Sequence, residues 1–317
     1  MEPIGQAFPF RAGMVAIVGR PNVGKSTLLN ALVGAHVSIT SSKPQTTRNR
    51  VLGVCTRADA QYVFVDTPGL QHRHKNLLTR RMNAGVGAAI RGVDAVLMVV
   101  DAQGWREEDE AVLRLLPSPP QQPESDPAGP PSRVVLALSR TDLLRDRNAL
   151  LPLIAKVSVR YPFAAIVPVS ASRGWQLDDL LLALRALLPE GMALFEADEI
   201  TDRSVRFLAA ELVREQAFRL LGEELPYGLA VAIEGWEESP ARAVITARIV
   251  VERDSQRGIV IGAGGAKLRA IGSKARVAIE RLLGKPVFLQ THVRVTAGWS
   301  NSARALDQLG VDTPQMP

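Results

Sequence analysis

The stretch Gly19-Arg20-Pro21-Asn22-Val23-Gly24-Lys25-Ser26-Thr27 decides the fold. It fits G-x-x-x-x-G-K-S, and it stands between an apolar run, Met14–Val18, and a segment with helical spacing, Lys25–Val33. A strand, a glycine-rich turn and a helix in that order make a phosphate cradle. The glycines let the backbone wrap phosphate oxygens, and the exposed amides and helix N-terminus supply partial positive charge. Lys25 is suited to the β- and γ-phosphates and the Ser26 hydroxyl to Mg²⁺.

Outward from this loop, short apolar runs alternate with helical segments. The runs are Tyr62–Val65, Ala95–Val100, Val134–Leu138 and Ile166–Val169; Leu77–Ile90 and Leu177–Leu188 have helical spacing. This alternation predicts an α/β domain over residues 13–190 with a mostly parallel, doubly wound sheet. Arg50–Val54 lies so close to Tyr62–Val65 that the two should form an antiparallel hairpin. Pro117–Ser132 interrupts the pattern with seven of the chain's 21 prolines and cannot build a core. Residues 1–12 read as a tail and 191–200 as a linker.

A second unit is expected over residues 201–297, with 298–317 as a C-terminal tail. Asp202–Leu221 reads as a helix capped by Asp202, Leu229–Ile233 and Ala243–Val251 as strands, Gly258–Gly262 as turn and helix, Ala266–Leu283 as a helix and Val287–Val295 as a strand. The order α-β-β-α-α-β describes a small α+β domain. Between Arg242 and Arg294 there are 11 Lys and Arg against 3 Asp and Glu, in a chain whose total is only +6. The rest is therefore slightly acidic, and the basic second unit points to a polyanion.

Composition excludes other classes. With 46% apolar and 22% charged residues the chain is globular, and its apolar runs fall short of a membrane span. A single cysteine, Cys55, rules out an internal disulfide framework, and four His form no zinc pattern. No secretory leader is legible at the N-terminus. A cytoplasmic protein is expected.

Further motifs fall at strand ends. Asp66-Thr67-Pro68-Gly69 follows Tyr62–Val65: Asp66 is suited to hold Mg²⁺ through water, and the Gly69 amide to meet a γ-phosphate. Within Pro44-Gln45-Thr46-Thr47-Arg48 a hydroxyl, Thr47 in preference to Thr46, can complete the Mg²⁺ shell when a γ-phosphate is present. In Ser139-Arg140-Thr141-Asp142 the carboxylate can accept both donors of the guanine edge, and Ser170-Ala171-Ser172 can offer amides to its O6. Adenine has no matching donor pair, so a P-loop kinase or ATPase is disfavoured.

As a set these motifs resemble those of translation-factor-class GTPases. Val260–Gly272, with Gly262-Ala263-Gly264-Gly265 inside it, resembles the G-x-x-G core of a type 2 KH RNA-binding domain. Together with Ile200–Ser204, Glu224–Tyr227 and Gly298-Trp299, the chain is similar to the Era family of bacterial ribosome-assembly GTPases.

That resemblance implies GTP hydrolysis with Mg²⁺, and binding of the 3′ end of small-subunit ribosomal RNA during assembly of the 30S subunit. It implies a cytoplasmic, monomeric protein with peripheral membrane contact as an option. Gly262–Gly265 would clamp RNA backbone, helped by Lys267, Arg269, Lys274 and Arg276. The implied catalytic groups are Asn22, Lys25, Thr47 and Gly69, with Asn22 resembling the residue of potassium-activated GTPases.

Three positions depart from the pattern. Ser139-Arg140 stands where the family has Asn-Lys, so looser nucleotide binding is expected from loss of the amide that bonds guanine and ties the loops. Ala263-Gly264 lacks the usual basic residue of the clamp. Leu70 cannot orient a water, and His72 and His74 read as solvated loop residues. The rival readings are an RNA-binding module with vestigial nucleotide control and a membrane-associated GTPase. Trp105, Trp175, Trp236 and Trp299 are spaced irregularly and read as packing residues, with Trp299, beside the basic unit, the one to test for RNA contact.

Overall fold

The computed structural model describes residues 9–41, 46–69, 76–119, 132–222 and 228–311. Leu70, His72, His74, Pro44, Gln45, the Glu224–Tyr227 motif and most of the proline-rich stretch lie outside them. The chain divides into two compact units. The first comprises Met1–Val37, Arg50–Leu70 and Gly85–Asp202. The second comprises Ser38–Asn49, Gln71–Ala84 and Arg203–Pro317.

The first unit is built on a six-stranded sheet. Its strands are β1 (Arg11–Val18), β2 (Val51–Thr56), β3 (Ala60–Asp66), β4 (Ala95–Asp101), β5 (Val134–Ser139) and β6 (Ala165–Pro168), in the order β2-β3-β1-β4-β5-β6. All neighbours are parallel except β2 and β3, which form the expected antiparallel pair. Both faces are covered, which is why the strands read as unbroken apolar runs. Alternate residues serve opposite faces: Val15, Ile17, Leu97 and Val99 pack in one core with helices α1 (Lys25–Val33) and α5 (Leu177–Arg185). Ala16, Val18, Met98 and Val100 pack in the other with α3 (Glu107–Leu113), α4 (Leu150–Ser158) and Val86 and Ile90 of α2 (Leu77–Arg91).

Two boundaries differ from the sequence reading. β1 starts inside the expected tail, because Arg11 N–H donates to Asp59 O and Ala12 N–H to Pro189 O. Residues 191–200 belong to the first unit. Ile200 O accepts from Val54 N–H on the edge strand β2, and the buried Gln61 side chain bonds Leu194 N–H, Phe195 N–H and Phe195 O. The stretch thus satisfies an otherwise open sheet edge.

In the second unit, β7 (Leu229–Glu238), β8 (Ala243–Val251) and β9 (Val287–Val295) form a sheet with β7 antiparallel and β9 parallel to β8. Helices α6 (Val205–Leu220) and α8 (Ala266–Leu283) share a core with it, and α7 (Asp254–Ile261) precedes the glycine-rich loop. The cap of α6 is Ser204, whose Oγ accepts from Phe207 N–H; Asp202 instead accepts from Leu52 N–H.

The expected C-terminal tail is also structural. Trp299 is 0% exposed, so it is closed to RNA. It packs with Leu78, Met82, Ala230, Val250, Leu306 of α9 (Ala303–Gln308) and Val311, and its Nε1 donates to Gly228 O. Its replacement in Trp299→Ala is expected to destabilise the second unit by about 3–5 kcal/mol in denaturant unfolding followed by circular dichroism. Trp175→Ala, at a half-exposed position, should cost far less.

Candidate functional site

The phosphate loop leaves the carboxyl end of β1 under tight steric control. A Cβ on Gly19 would lie 2.5 Å from Val99 O, so only glycine passes there. Asn22 (φ 63°) and Gly24 (φ 98°) adopt left-handed backbone, which turns the loop into the start of α1. Lys25 is buried, and its Nζ donates to Gly19 O (2.9 Å) and Arg20 O (2.8 Å). Burial lowers its pKa to about 8, against the opposing pull of Asp66. A desolvated ammonium held only by neutral carbonyls gains from any anion brought to the loop.

The two metal candidates of the first unit meet. Ser26 Oγ donates to Asp66 Oδ2 at 2.8 Å, and Asp66 is fully buried at the end of β3. Thr67 Oγ1 donates to Ile17 O, holding this turn to β1. Gly69 lies against the phosphate loop: an added Cβ would approach Pro21 N to 3.0 Å. A hydroxyl and one carboxylate suit Mg²⁺, which takes hard oxygen ligands and keeps waters or phosphate oxygens for the rest of its shell. When bound, Mg²⁺ neutralises phosphate charge. Among the described residues no cluster of three or more His, Cys, Asp or Glu could hold a metal by itself. Thr47, the third expected ligand, is buried in a segment that belongs to the second unit.

The Ser139–Asp142 loop keeps a tie between loops where the change from Asn to Ser is expected to lose one. Ser139 Oγ lies 2.6 Å from Val23 O and 3.2 Å from Val100 O, so the hydroxyl ties the base loop to the phosphate loop without an amide. Arg140 (φ 62°) donates from Nη1 to Asp101 Oδ2 at 3.0 Å. Arg20 meets the same Asp101 at 3.9 Å and Asp109 at 3.3 Å. The phosphate loop, β4 and the base loop are therefore linked through one buried carboxylate. Asp101 went unnoticed in the sequence because an acid at a strand end carries no motif.

Asp142 is aimed by two hydroxyls. Ser170 Oγ donates to Oδ1 (2.6 Å) and Ser172 Oγ to Oδ2 (3.1 Å), and the Ser170 bond leads the causes that lower its pKa. Below neutral pH the group stays an acceptor, the form that can take a pair of N–H donors. The Ser170 N–H is engaged with Trp175 O, so any amide offered to a base oxygen comes from Ala171 or Ser172.

In the second unit, α7 ends at Gly262 (φ 71°), and Gly264 (φ 56°) and Gly265 (φ 78°) turn the chain into α8. At Gly262 an added Cβ would meet Lys267 Cγ at 2.9 Å, so the loop is closed by the stem of the following lysine. Lys267, Arg269, Lys274 and Arg276 are all exposed. They do not form one face: helical spacing puts Lys267 and Lys274 on one flank of the buried Ile271–Ala275–Ile279 stripe and Arg269 and Arg276 on the other. Arg276 is paired with Glu280 at 2.6 Å.

These two sites define a P-loop GTPase carrying a C-terminal KH domain. The comparisons agree. Residues 14–127 match the family of 50S ribosome-binding GTPases, and residues 224–300 match the KH domain family. The chain is 51% identical to the GTPase Era of Bordetella avium, over 96% of this chain and 98% of that one. It is 52% identical to the GTPase Era of Xanthomonas axonopodis pv. citri over similar shares. A crystal structure of a single-residue variant of Aquifex aeolicus Era bound to GDP·AlF4⁻ superposes with a TM-score of 0.86 at 38% identity, covering 95% of this chain and 99% of that one. Era in complex with MgGDPNP and nucleotides 1506–1542 of 16S ribosomal RNA matches with a TM-score of 0.87, also at 38% identity and with the same coverage. The chain belongs to the Era family of GTPases. Among its described residues no helix is long and apolar enough to cross a membrane.

Two outcomes are expected. Ser139→Ala strands the Val23 carbonyl and should speed GDP release about tenfold, measured by stopped-flow with a fluorescent GDP. An unchanged rate would show the tie to be dispensable. Because the Lys25 pKa is depressed, the unliganded group is largely neutral above pH 8. Phosphate favours the charged form, so GDP affinity should fall as pH rises through that value. Calorimetry in buffers of different ionisation enthalpy should show proton uptake near pH 8.5 and almost none near pH 7.

Proposed function

We propose that this chain binds GTP with Mg²⁺, hydrolyses it, and uses the nucleotide state to control a KH domain that binds the 3′ end of small-subunit ribosomal RNA during 30S assembly. The observation that carries this reading is the path of the chain. Between β1 and β4 it visits the second unit twice, through Ser38–Asn49 and Gln71–Ala84. The first visit contains Thr46 and Thr47, and the second begins directly after the Asp66–Gly69 turn. Segments adjoining both γ-phosphate sensors are thus built into the RNA-binding unit.

The phosphate-loop amides and Lys25 would hold the phosphates, Ser26 and Asp66 the metal, Gly69 the γ-phosphate and Asp142 the guanine edge. Thr47 would join the metal shell in the triphosphate state. Asn22, whose exposed side chain stands on a left-handed residue, is our candidate to seat a potassium ion. Gly262–Gly265 and the Lys267 flank of α8 would take the RNA backbone. The Era complexes with GDP·AlF4⁻ and with MgGDPNP and 16S ribosomal RNA support the nucleotide, Mg²⁺ and RNA parts of this reading by likeness. The same reading assigns the cytoplasm, with the basic second unit suited to peripheral contact with anionic lipid.

The test is binding of a labelled single-stranded RNA matching the 3′ end of 16S ribosomal RNA, at fixed salt, with a non-hydrolysable GTP analogue or with GDP. Tighter binding with the analogue is expected. Equal binding in both states would reduce the protein to an RNA-binding module whose GTPase serves another end.

A further inference from the structure

The two loops at the base end of the first unit are joined at three successive places along both stretches. Where the strands end, Thr141 N–H donates to Val169 O at 3.2 Å. Next, the Ser170 and Ser172 hydroxyls donate to Asp142. Last, the Arg147 guanidinium lies 4.4 Å from the centre of the Trp175 ring. Arg147 opens a single 3₁₀ turn, Arg147–Ala149, which the Asp146 carboxylate caps by accepting from Asn148 N–H. Arg147 and Trp175 belong to none of the nucleotide motifs.

Ser170–Trp175 is a closed piece of chain. Ser170 N–H donates to Trp175 O (3.2 Å) and Trp175 N–H to Ser170 O (3.0 Å), with Gly174 (φ 69°) making a left-handed step between them. Arg173 N–H donates to Ser170 Oγ at 3.3 Å. These bonds fix the shape of the turn, while its tilt against the Asp142 loop depends on the links between the two. Ser170 is fully buried and holds one end. At the other end, where Trp175 is 38% exposed, the link is the stack with Arg147. A cation over an exposed indole contributes little to a fold, but a backbone amide that must meet a base oxygen loses its bond steeply beyond about 3.2 Å.

We propose that the Arg147–Trp175 pair positions the Ser170–Trp175 turn for base recognition, so that an amide of Ala171 or Ser172 meets the 6-oxygen of guanine. The pair thereby sets part of this protein's preference for guanine. The inference deepens the proposed function and rests on its placing of the guanine edge at Asp142. Both residues act through the turn and touch no nucleotide themselves. Without the stack, the turn samples tilts in which neither amide reaches the base, and the apparent affinity for a 6-oxo purine falls by the fraction of time so spent.

The test compares three nucleotides in competition with a fluorescent GDP, near neutral pH, with Mg²⁺ and the full chain. 6-Thio-GDP keeps both guanine donors and replaces the 6-oxygen with a weakly accepting sulfur. IDP keeps the 6-oxygen and lacks the 2-amino group. The ratio of GDP to 6-thio-GDP affinity therefore reads the amide contact, and the ratio of GDP to IDP affinity reads Asp142. The wild type should prefer GDP in both comparisons. In Arg147→Ala the preference over 6-thio-GDP should fall roughly two- to fivefold, the factor that one exposed cation–π contact is worth. The preference over IDP should fall less, because Thr141 N–H and Ser170 Oγ still tie the loops. General loosening of the fold weakens all three nucleotides alike and moves neither ratio.

Arg147→Lys keeps a cation over the ring and should restore most of the wild-type ratio. Trp175→Leu removes the other partner and should lower the same ratio by a similar factor, with no further loss when it is combined with Arg147→Ala. It also keeps the test open should one variant fold poorly. A wild-type ratio in either single variant that folds, or a wild type that binds 6-thio-GDP as tightly as GDP, would overturn the proposal. If the wild type binds GDP and IDP alike while the 6-thio-GDP ratio shifts in Arg147→Ala, the stack stands and the role of Asp142 falls. If the wild type prefers GDP over both analogues and Arg147→Ala moves neither ratio, Asp142 stands and the stack falls.

Discussion

Everything at the nucleotide site depends on the direction of the strands. β1, β3, β5 and β6 run parallel, so their carboxyl ends share one edge of the sheet. The phosphate loop, the Asp66–Gly69 turn, Ser139–Asp142 and Ser170–Ser172 each leave one of those ends. Residues from four separate stretches thereby gather at one edge of the sheet. Close approach is then the limiting condition: Gly19 against Val99 O and Gly69 against Pro21 have no room for a side chain. The bonds across that edge, Ser26 to Asp66, Thr67 to Ile17 O and Ser139 to Val23 O, hold the loops in mutual register.

The electrostatics follow from the same crowding. Arg20 and Arg140 enter the site from two loops and converge on Asp101, while Asp109 takes the other side of Arg20. Desolvation pushes the Asp109 carboxyl upward despite its arginine partner, a sign of how little water reaches it. Lys25 is desolvated in the same region and pushed the opposite way. A site that holds its cations in place before ligand arrives needs little reorganisation when phosphate charge enters. It also explains why Ser-Arg can stand where the family has Asn-Lys. The hydroxyl bridges to the neighbouring loop, and the longer arginine finds a carboxylate on β4 for its charge.

Much of this was legible in the residues. The strand and helix runs, the hairpin and the order of the second unit follow from local pattern, and Lys25–Val33, Ala243–Val251, Ala266–Leu283 and Val287–Val295 match the observed elements end to end. What was not legible depends on contacts between distant residues. Trp299 reads as a packing residue, but the core that takes it, made partly by Leu78 and Met82, is far away in sequence and not visible there. Residues 191–200 have linker composition, but the open edge of β2 and the Gln61 amide bind them. The four basic residues of α8 read as one set until helical geometry separates them. Ser139 looked like a loss because a missing amide is visible in a sequence and a hydroxyl's partner is not.

The same limit explains why the burial of Arg48 has no sequence signature. Nothing in Thr46-Thr47-Arg48 says that the arginine is buried, because an arginine in a polar loop is ordinarily solvated. Only the fold reveals that the neighbours of Thr47 are bound to α6, β7 and Trp299. Arg48 after Thr47, and Leu78 and Met82 nine and thirteen residues after Gly69, all belong to the second unit's structure. Under the switch reading proposed above, ligand energy delivered at the phosphate edge would act on bonds inside that unit, and by reciprocity RNA bound there would act on the preference for GTP over GDP.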